Sequence, residues 1–185
     1  MAGALIKAHM FFMTIAWFVL VPSGILFSAT KPNANWFKTH RALMVAATCF
    51  CVVGAICAAT GDRGPADGPS TTVHTVVGVS MMAIMIAQVS VAMFRPDKII
   101  EEGAETKSGA RSAWETAHKL VGYSLAIGAL AQAATGAGLR PDLLAEGDPE
   151  PPPLVPQVVL MAITLAILKL VCLKKGEVDE VGSSE

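Results

Sequence analysis

Residues 36–60 read WFKTHRALMVAATCFCVVGAICAAT, and this stretch decides the fold. From position 42 to 60 it holds no Asp, Glu, Lys or Arg, yet just before that run stand His40 and Arg41. A charge-free run of this length suits a helix that crosses the hydrocarbon of a bilayer, where each backbone polar group must be satisfied within the segment. Four further runs share its character, at 4–28, 71–94, 112–136 and 154–172. Between them lie sharp breaks: Lys31-Pro32-Asn33, Gly61-Asp62-Arg63-Gly64-Pro65, Arg95-Pro96-Asp97 and Glu150-Pro151-Pro152-Pro153. Pro22 and Gly24 are expected to kink the first span. The reading is therefore all-α, a polytopic transmembrane bundle of five helices, with residues 1–175 as one domain and 176–185 as a disordered cytoplasmic tail.

Composition agrees. The chain has 185 residues, 53% of them hydrophobic and 16% charged, with a formal net charge of −1 and a mean hydropathy of +0.54. A soluble domain carries about a quarter charged residues. No basic excess exists to neutralise phosphates, so nucleic acid is excluded as a partner and membrane lipid takes its place. The first apolar run is too long, and its basic flank too thin at Lys7 alone, for a cleaved signal peptide. With five spans the termini lie on opposite sides. Of the 14 Lys and Arg, only Lys7, Arg63 and Arg140 fall on the N-terminal side. The positive-inside rule then places the N-terminus outside and the C-terminus in the cytoplasm, in a plasma membrane or endomembrane. The mixed-charge segment 98–111 reads as a solvated cytoplasmic loop.

The only histidines are His9, His40, His74 and His118, one in each of the first four spans and each a few residues inside its N-terminal end. An ionisable side chain inside a span marks a functional site. Because successive helices alternate direction, His9 and His74 fall near the outer side, and His40 and His118 near the cytoplasmic side. Two imidazoles facing one another are what a low-spin haem iron needs above and below its plane. Both axial positions are then filled, which suits passing electrons rather than activating a ligand. The two layers should lie about 20 Å apart at 1.5 Å per residue, close enough for electrons to tunnel between haem edges.

A local repeat, Trp36-x-x-x-His40-Arg41 and Trp114-x-x-x-His118-Lys119, should stack tryptophan on histidine one turn away. Gly54 lies 14 residues after His40, and Gly78 and Gly122 one turn after His74 and His118, where a flat cofactor needs small residues. Cys49, Cys51, Cys57 and Cys172 form no Cys-x-x-Cys-His, which excludes covalent haem attachment, and they read as small hydrophobes.

Taken together, these residues resemble the cytochrome b561 family, specifically the membrane module of its DOMON-linked ferric-chelate reductase branch. The matching stretches are His9-Met10 through Ala16-Trp17 with Pro22-x-Gly24, and Trp36-Phe37-x-x-His40-Arg41-Ala42-Leu43-Met44. They continue as His74-x-x-x-Gly78 leading to Phe94-Arg95-Pro96, and Trp114-x-x-x-His118-x-x-x-Gly122-Tyr123, over about residues 5–136. The resemblance implies a four-helix dihaem core holding two haem b. One haem would take His9 and His74 as axial ligands and the other His40 and His118, the pairing that helix direction gives independently. It further implies an ascorbate-dependent transmembrane oxidoreductase passing electrons from cytosolic ascorbate to an external acceptor such as ferric chelate or monodehydroascorbate. Ascorbate is an anion, so the cytosolic cations Lys38, Arg41, Arg111 and Lys119 are its expected binding residues. The sequence carries no DOMON domain, so the expected acceptor is a free molecule, a separate extracellular domain or a homodimer partner. Two other readings stay open. One is a haem-holding subunit of a larger redox complex. The other is a histidine-lined metal or proton transporter, against which the lack of acidic residues in the central stretches counts.

Overall fold

A computed structural model describes residues 2–61, 69–96, 99–101, 104–106, 108–139, 158–159, 161–164 and 166. The first span is α1 (Ala2–Ile15), a π-helical turn (Ala16–Leu20) and α2 (Val21–Thr30). Next come α3 (Trp36–Thr60), α4 (Pro69–Ala92), a hairpin of β1 (Ile99–Glu101) and β2 (Ala104–Thr106), and α5 (Gly109–Leu139). By length and composition, Ala4–Thr30, Trp36–Thr60 and Thr71–Ala92 are helices able to cross a membrane. At 31 residues α5 exceeds the length required, but Arg111, Glu115 and Lys119 in its first three turns make it more polar. In the fifth expected span every described residue is helical; the rest of 154–172 and the tail at 176–185 lie outside the described residues.

Each helix stops for a local reason. Lys31 adopts the left-handed conformation at φ 46°, its N–H bonding the Phe27 carbonyl at 3.0 Å, and Pro32 forbids continuation. Asn33 then closes the short connection. Its side chain accepts from the Asn35 N–H at 2.9 Å and its carbonyl from the Trp36 N–H at 3.1 Å, which starts α3.

Where a loop is expected at 98–111, β1 and β2 pair antiparallel in the register Ile99↔Thr106, Ile100↔Glu105, Glu101↔Ala104. The strand preference of the β-branched pair Ile99-Ile100 outweighs the charges around it.

The first span and α3 form one antiparallel pair and α4 and α5 another, joined where α3 meets α4. Ala16, Val21, Ala47, Cys51, Met85 and Leu125 make the core. Outside it the usual polarity is reversed, with Val76 59%, Ile127 69% and Phe94 83% exposed. Hydrocarbon solvates such a surface, whereas soluble monomers rarely expose contiguous apolar area on this scale.

The π turn has a specific geometric role. Pro22 lacks an N–H and its ring clashes with the carbonyl four residues back, so the helix widens just before it. The Val21 N–H reaches the Ala16 carbonyl instead, and the Ser23 hydroxyl bonds the Val19 carbonyl at 2.5 Å. His40 to Gly54 is 14 residues, after which a regular helix returns to within about 40° of its starting face. His9 to Gly24 is 15 residues, and the π turn absorbs the extra one. Deleting one residue of the π turn, such as Leu20, should therefore leave both histidine layers able to bind cofactor. Deleting Thr48 from the regular α3 should rotate His40 away from Gly54's face and abolish one layer. Haem content per chain and thermal unfolding in detergent distinguish these outcomes.

Candidate functional site

An imidazole placed in hydrocarbon must satisfy two ring nitrogens, and the bundle satisfies one on each of three rings. At one depth His9 Nδ1 donates to the Gly54 carbonyl at 2.9 Å. At the other His40 Nδ1 donates to the Gly24 carbonyl at 2.8 Å. The two bonds are reciprocal across one helix pair, each running from a histidine on one span to a glycine on the other. At Gly54 a Cβ would meet Met13 Cε and Phe12 Cβ at 3.2 Å, and at Gly24 it would overlap the Met44 side chain. Glycine is thus what lets the backbones come this close. His74 Nδ1 lies 3.1 Å from Thr135 Oγ1, whose own proton goes to the Gln132 carbonyl at 3.0 Å, so the hydroxyl oxygen accepts from the ring. These bonds fix the tautomer and leave Nε2 as the nitrogen available to a metal.

The four rings come together in the two expected pairs. His9 and His74 have centroids 6.4 Å apart with planes at 80°. His40 and His118 have centroids 6.4 Å apart with planes at 76°. A direct hydrogen bond of about 2.9 Å between ring nitrogens would put the centroids about 5.1 Å apart. A metal bonded at about 2.0 Å to two opposed imidazole nitrogens puts them about 6.3 Å apart. The second distance fits both layers. Because His9 is held at the level of Gly54 and His40 lies 14 residues away on the same helix, the layers are about 21 Å apart.

Among the described residues no group of three or more His, Cys, Asp or Glu could hold a metal ion. Two imidazoles alone are too few for a bare ion such as zinc, which takes three or four protein ligands. A planar macrocycle bringing four nitrogens of its own completes six. The His9/His74 pair opens on a cavity of about 310 Å³, with Met10, Met13, Met81 and Met82 in its walls beside Ala55, Ala58, Ala133, Gly78 and Gly136. Small residues leave the width for a flat group, and apolar walls give water too few partners to stay.

The Trp-x-x-x-His repeat behaves differently in its two copies. Trp114 stacks on His118, with centroids at 4.9 Å and planes at 8°. Trp36 packs edge-on to Phe37 at 5.6 Å, with the Lys31 ammonium 5.4 Å from its centroid. The cations expected to bind the donor also divide. Lys38, Arg41 and Lys119 are exposed beside the His40/His118 pair. Arg111 is 4% exposed, bonded through Nε to Glu115 at 2.8 Å and through a terminal nitrogen to the Pro96 carbonyl at 2.5 Å. It ties the start of α5 to the end of the α4 segment.

Sequence reasoning missed Thr135, Gln88 and Gln132, and it took Gly24 only for a kink. A usable signal existed for the glutamines. Gln88 follows His74, and Gln132 follows His118, by the same 14 residues that separate His40 from Gly54.

Thr135→Val removes the acceptor for the His74 Nδ1–H. The imidazole would then be a weaker donor to a ferric haem held between His9 and His74, whose midpoint potential should rise by about 20–60 mV, the equivalent of one hydrogen bond for one electron. The potential of a haem held between His40 and His118 should not move. Redox titration followed by visible absorption checks this.

Comparison with known proteins agrees with the geometry. Residues 8–140 match the family model for eukaryotic cytochrome b561. Among curated proteins the chain is similar to a cytochrome b561, DM13 and DOMON domain-containing protein of Arabidopsis thaliana, at 28% identity over 131 residues. That alignment covers 69% of this chain and 14% of the relative, so the chain spans a small part of that protein's length. No solved structure matches it. The family match begins one residue before the first histidine and runs to the end of α5, taking in both pairs: the chain belongs to the eukaryotic cytochrome b561 family, whose members bind haem b.

Proposed function

We propose that this chain holds two haem b groups, one between His9 and His74 and one between His40 and His118, and passes single electrons across a membrane. The observation that carries the reading is the repetition of one geometry, a 6.4 Å ring-to-ring gap with nearly perpendicular planes, in two layers. Haem held between each pair would supply a one-electron ferric/ferrous couple. The protein's own residues do the rest. Gly24, Gly54 and Thr135 accept the Nδ1 protons of His40, His9 and His74 and so orient each Nε2. Ala16, Ala47, Cys51, Met85 and Leu125 fill the space between the layers and exclude water.

The positive-inside rule makes the His40/His118 layer cytoplasmic, and the donor enters there. We take that donor to be ascorbate, an anion drawn by Lys38, Arg41 and Lys119, with Arg111 holding α5 in place beneath them. Electrons leave at the His9/His74 layer to an external acceptor such as ferric chelate or monodehydroascorbate. The DOMON domain in the relative's name supports a separate extracellular domain as one route to that acceptor. The chain is on this reading a transmembrane ascorbate-dependent reductase, its N-terminus outside and its C-terminus cytoplasmic, in a plasma membrane or endomembrane.

Purified protein should show a reduced b-type absorption spectrum and about two haems per chain by pyridine haemochrome assay. His9→Ala and His118→Ala should each remove a different one; loss of both, or of neither, contradicts the pairing. For the donor site, combined substitution of Lys38, Arg41 and Lys119 by Ala should raise the KM for ascorbate about tenfold, with a weaker dependence on salt. Arg111→Ala should instead lower thermal stability and leave that KM unchanged, because its guanidinium is turned inward to Glu115 and Pro96. Stopped-flow haem reduction by ascorbate separates the two effects.

A further inference from the structure

We propose that Gln88 and Gln132 are positioning residues for His118 and His74, each amide gripping the histidine's own backbone carbonyl and so setting the plane its ring presents across the gap. The inference rests on the dihaem reading above. Gln88 Nε2 donates to the His118 carbonyl at 3.0 Å, and Gln132 Nε2 to the His74 carbonyl at 2.5 Å. The two bonds run in opposite senses between α4 and α5, each starting 14 residues beyond the histidine of its own helix.

A helical carbonyl already accepts the N–H of the residue four positions on. For a side chain to reach the same oxygen, the following turn must be bare on that side. At both places it is glycine. A Cβ on Gly122 would meet Gln88 Nε2 at 3.0 Å, and that is the only atom in its way. A Cβ on Gly78 would meet Gln132 Nε2 at 2.8 Å and otherwise only the same amide's carbon at 3.8 Å. The absence of side chains at 78 and 122 therefore serves the two amides, and the arrangement occurs twice.

The bonds also determine how α4 and α5 sit. Sliding one helix by a residue, or turning it by one position, breaks both at once. On the other helix pair the rings are clamped directly, His9 and His40 donating to glycine carbonyls. On α4 and α5 the glutamines add a grip on the backbone beneath the ring, alongside the Thr135 bond to His74 and the Trp114 stack on His118, and the planes stand at 80° and 76°.

The test uses the purified, haem-loaded full chain. In a low-spin ferric centre with two axial imidazoles, the g anisotropy is large when the ring planes are perpendicular and falls as they turn parallel. Low-temperature electron paramagnetic resonance thus reads the ring angle, and the two signals are assigned from His9→Ala and His118→Ala. Gln88→Leu and Gly122→Ala should each lower the anisotropy of the His40/His118 signal and leave the other unchanged. Gln132→Leu and Gly78→Ala should do the converse. Gln88→Glu, a neutral carboxylic acid in this apolar setting and still a donor, should restore the first signal. Should a leucine variant fail to fold, the matching glycine-to-alanine variant displaces the same amide while keeping it in the chain. Two haems with unshifted signals in the glycine variants would overturn the positioning role and leave the dihaem reading standing, even if thermal stability fell. A wild-type chain without haem would overturn both.

Discussion

A ring nitrogen that carries a proton inside hydrocarbon has to give that proton to something, and His9 and His40 give theirs to backbone. A helical carbonyl retains a lone pair after its own helical bond is made, but it is reachable only where the neighbouring helix comes very close. Gly24 and Gly54 create that closeness. The bonds from His40 and His9 then do two things together. They hold the first span against α3 at two depths, and they leave Nε2 of each ring free. On the dihaem reading, cofactor ligation and helix packing are therefore one constraint. The glycine that sets the interhelical distance also sets where the imidazole stands.

The rest of the architecture follows from applying that constraint at two levels. Antiparallel helices place one histidine near each end of a pair, and a spacing of about four turns brings each helix's second contact back to the same face. α3, α4 and α5 meet this with unbroken helix. In the first span the spacing is one residue longer, and the π turn before Pro22 corrects the phase. Between the levels only apolar packing is needed, which is where Ala47, Cys51 and Met85 lie. The two helix pairs differ in which partner donates. In one, the histidine side chains donate to backbone; in the other, glutamine side chains donate to the histidines' backbone, and His74 donates to the Thr135 hydroxyl.

Much of this was legible in the sequence because the signals are periodic and sparse. Charge-free runs bounded by Pro and Gly mark the spans. One histidine near the start of each of four alternating helices is enough to sort them into two layers. What stayed hidden depends on distances between helices. Thr135 and Gln132 look like ordinary polar residues of a membrane helix until the fold brings them to His74. The repeat centred on Trp36 and Trp114 predicts two stacked pairs, yet Trp36 turns toward Phe37 and Lys31. Spacing shows that an indole can reach a ring, not which neighbour competes for it. Arg111 has the same charge as Lys119, and only the positions of Glu115 and the Pro96 carbonyl decide that it faces inward.

Low charge content takes on a more definite meaning in this light. A bundle that carried ions or protons would need titratable or liganding groups along its length. Here the histidines and the two glutamines bonded to them gather at two depths, with a mainly hydrocarbon core between them. In such a medium an unpaired polar group costs several kcal/mol. That cost explains why His9, His40 and His74 each hand their Nδ1 proton to a named acceptor, and why Gln88 and Gln132 bond carbonyls rather than face lipid. Among the described residues the same dryness offers a solvated ion few partners between the layers. Electrons, which cross by tunnelling rather than by solvated hops, suit such an arrangement.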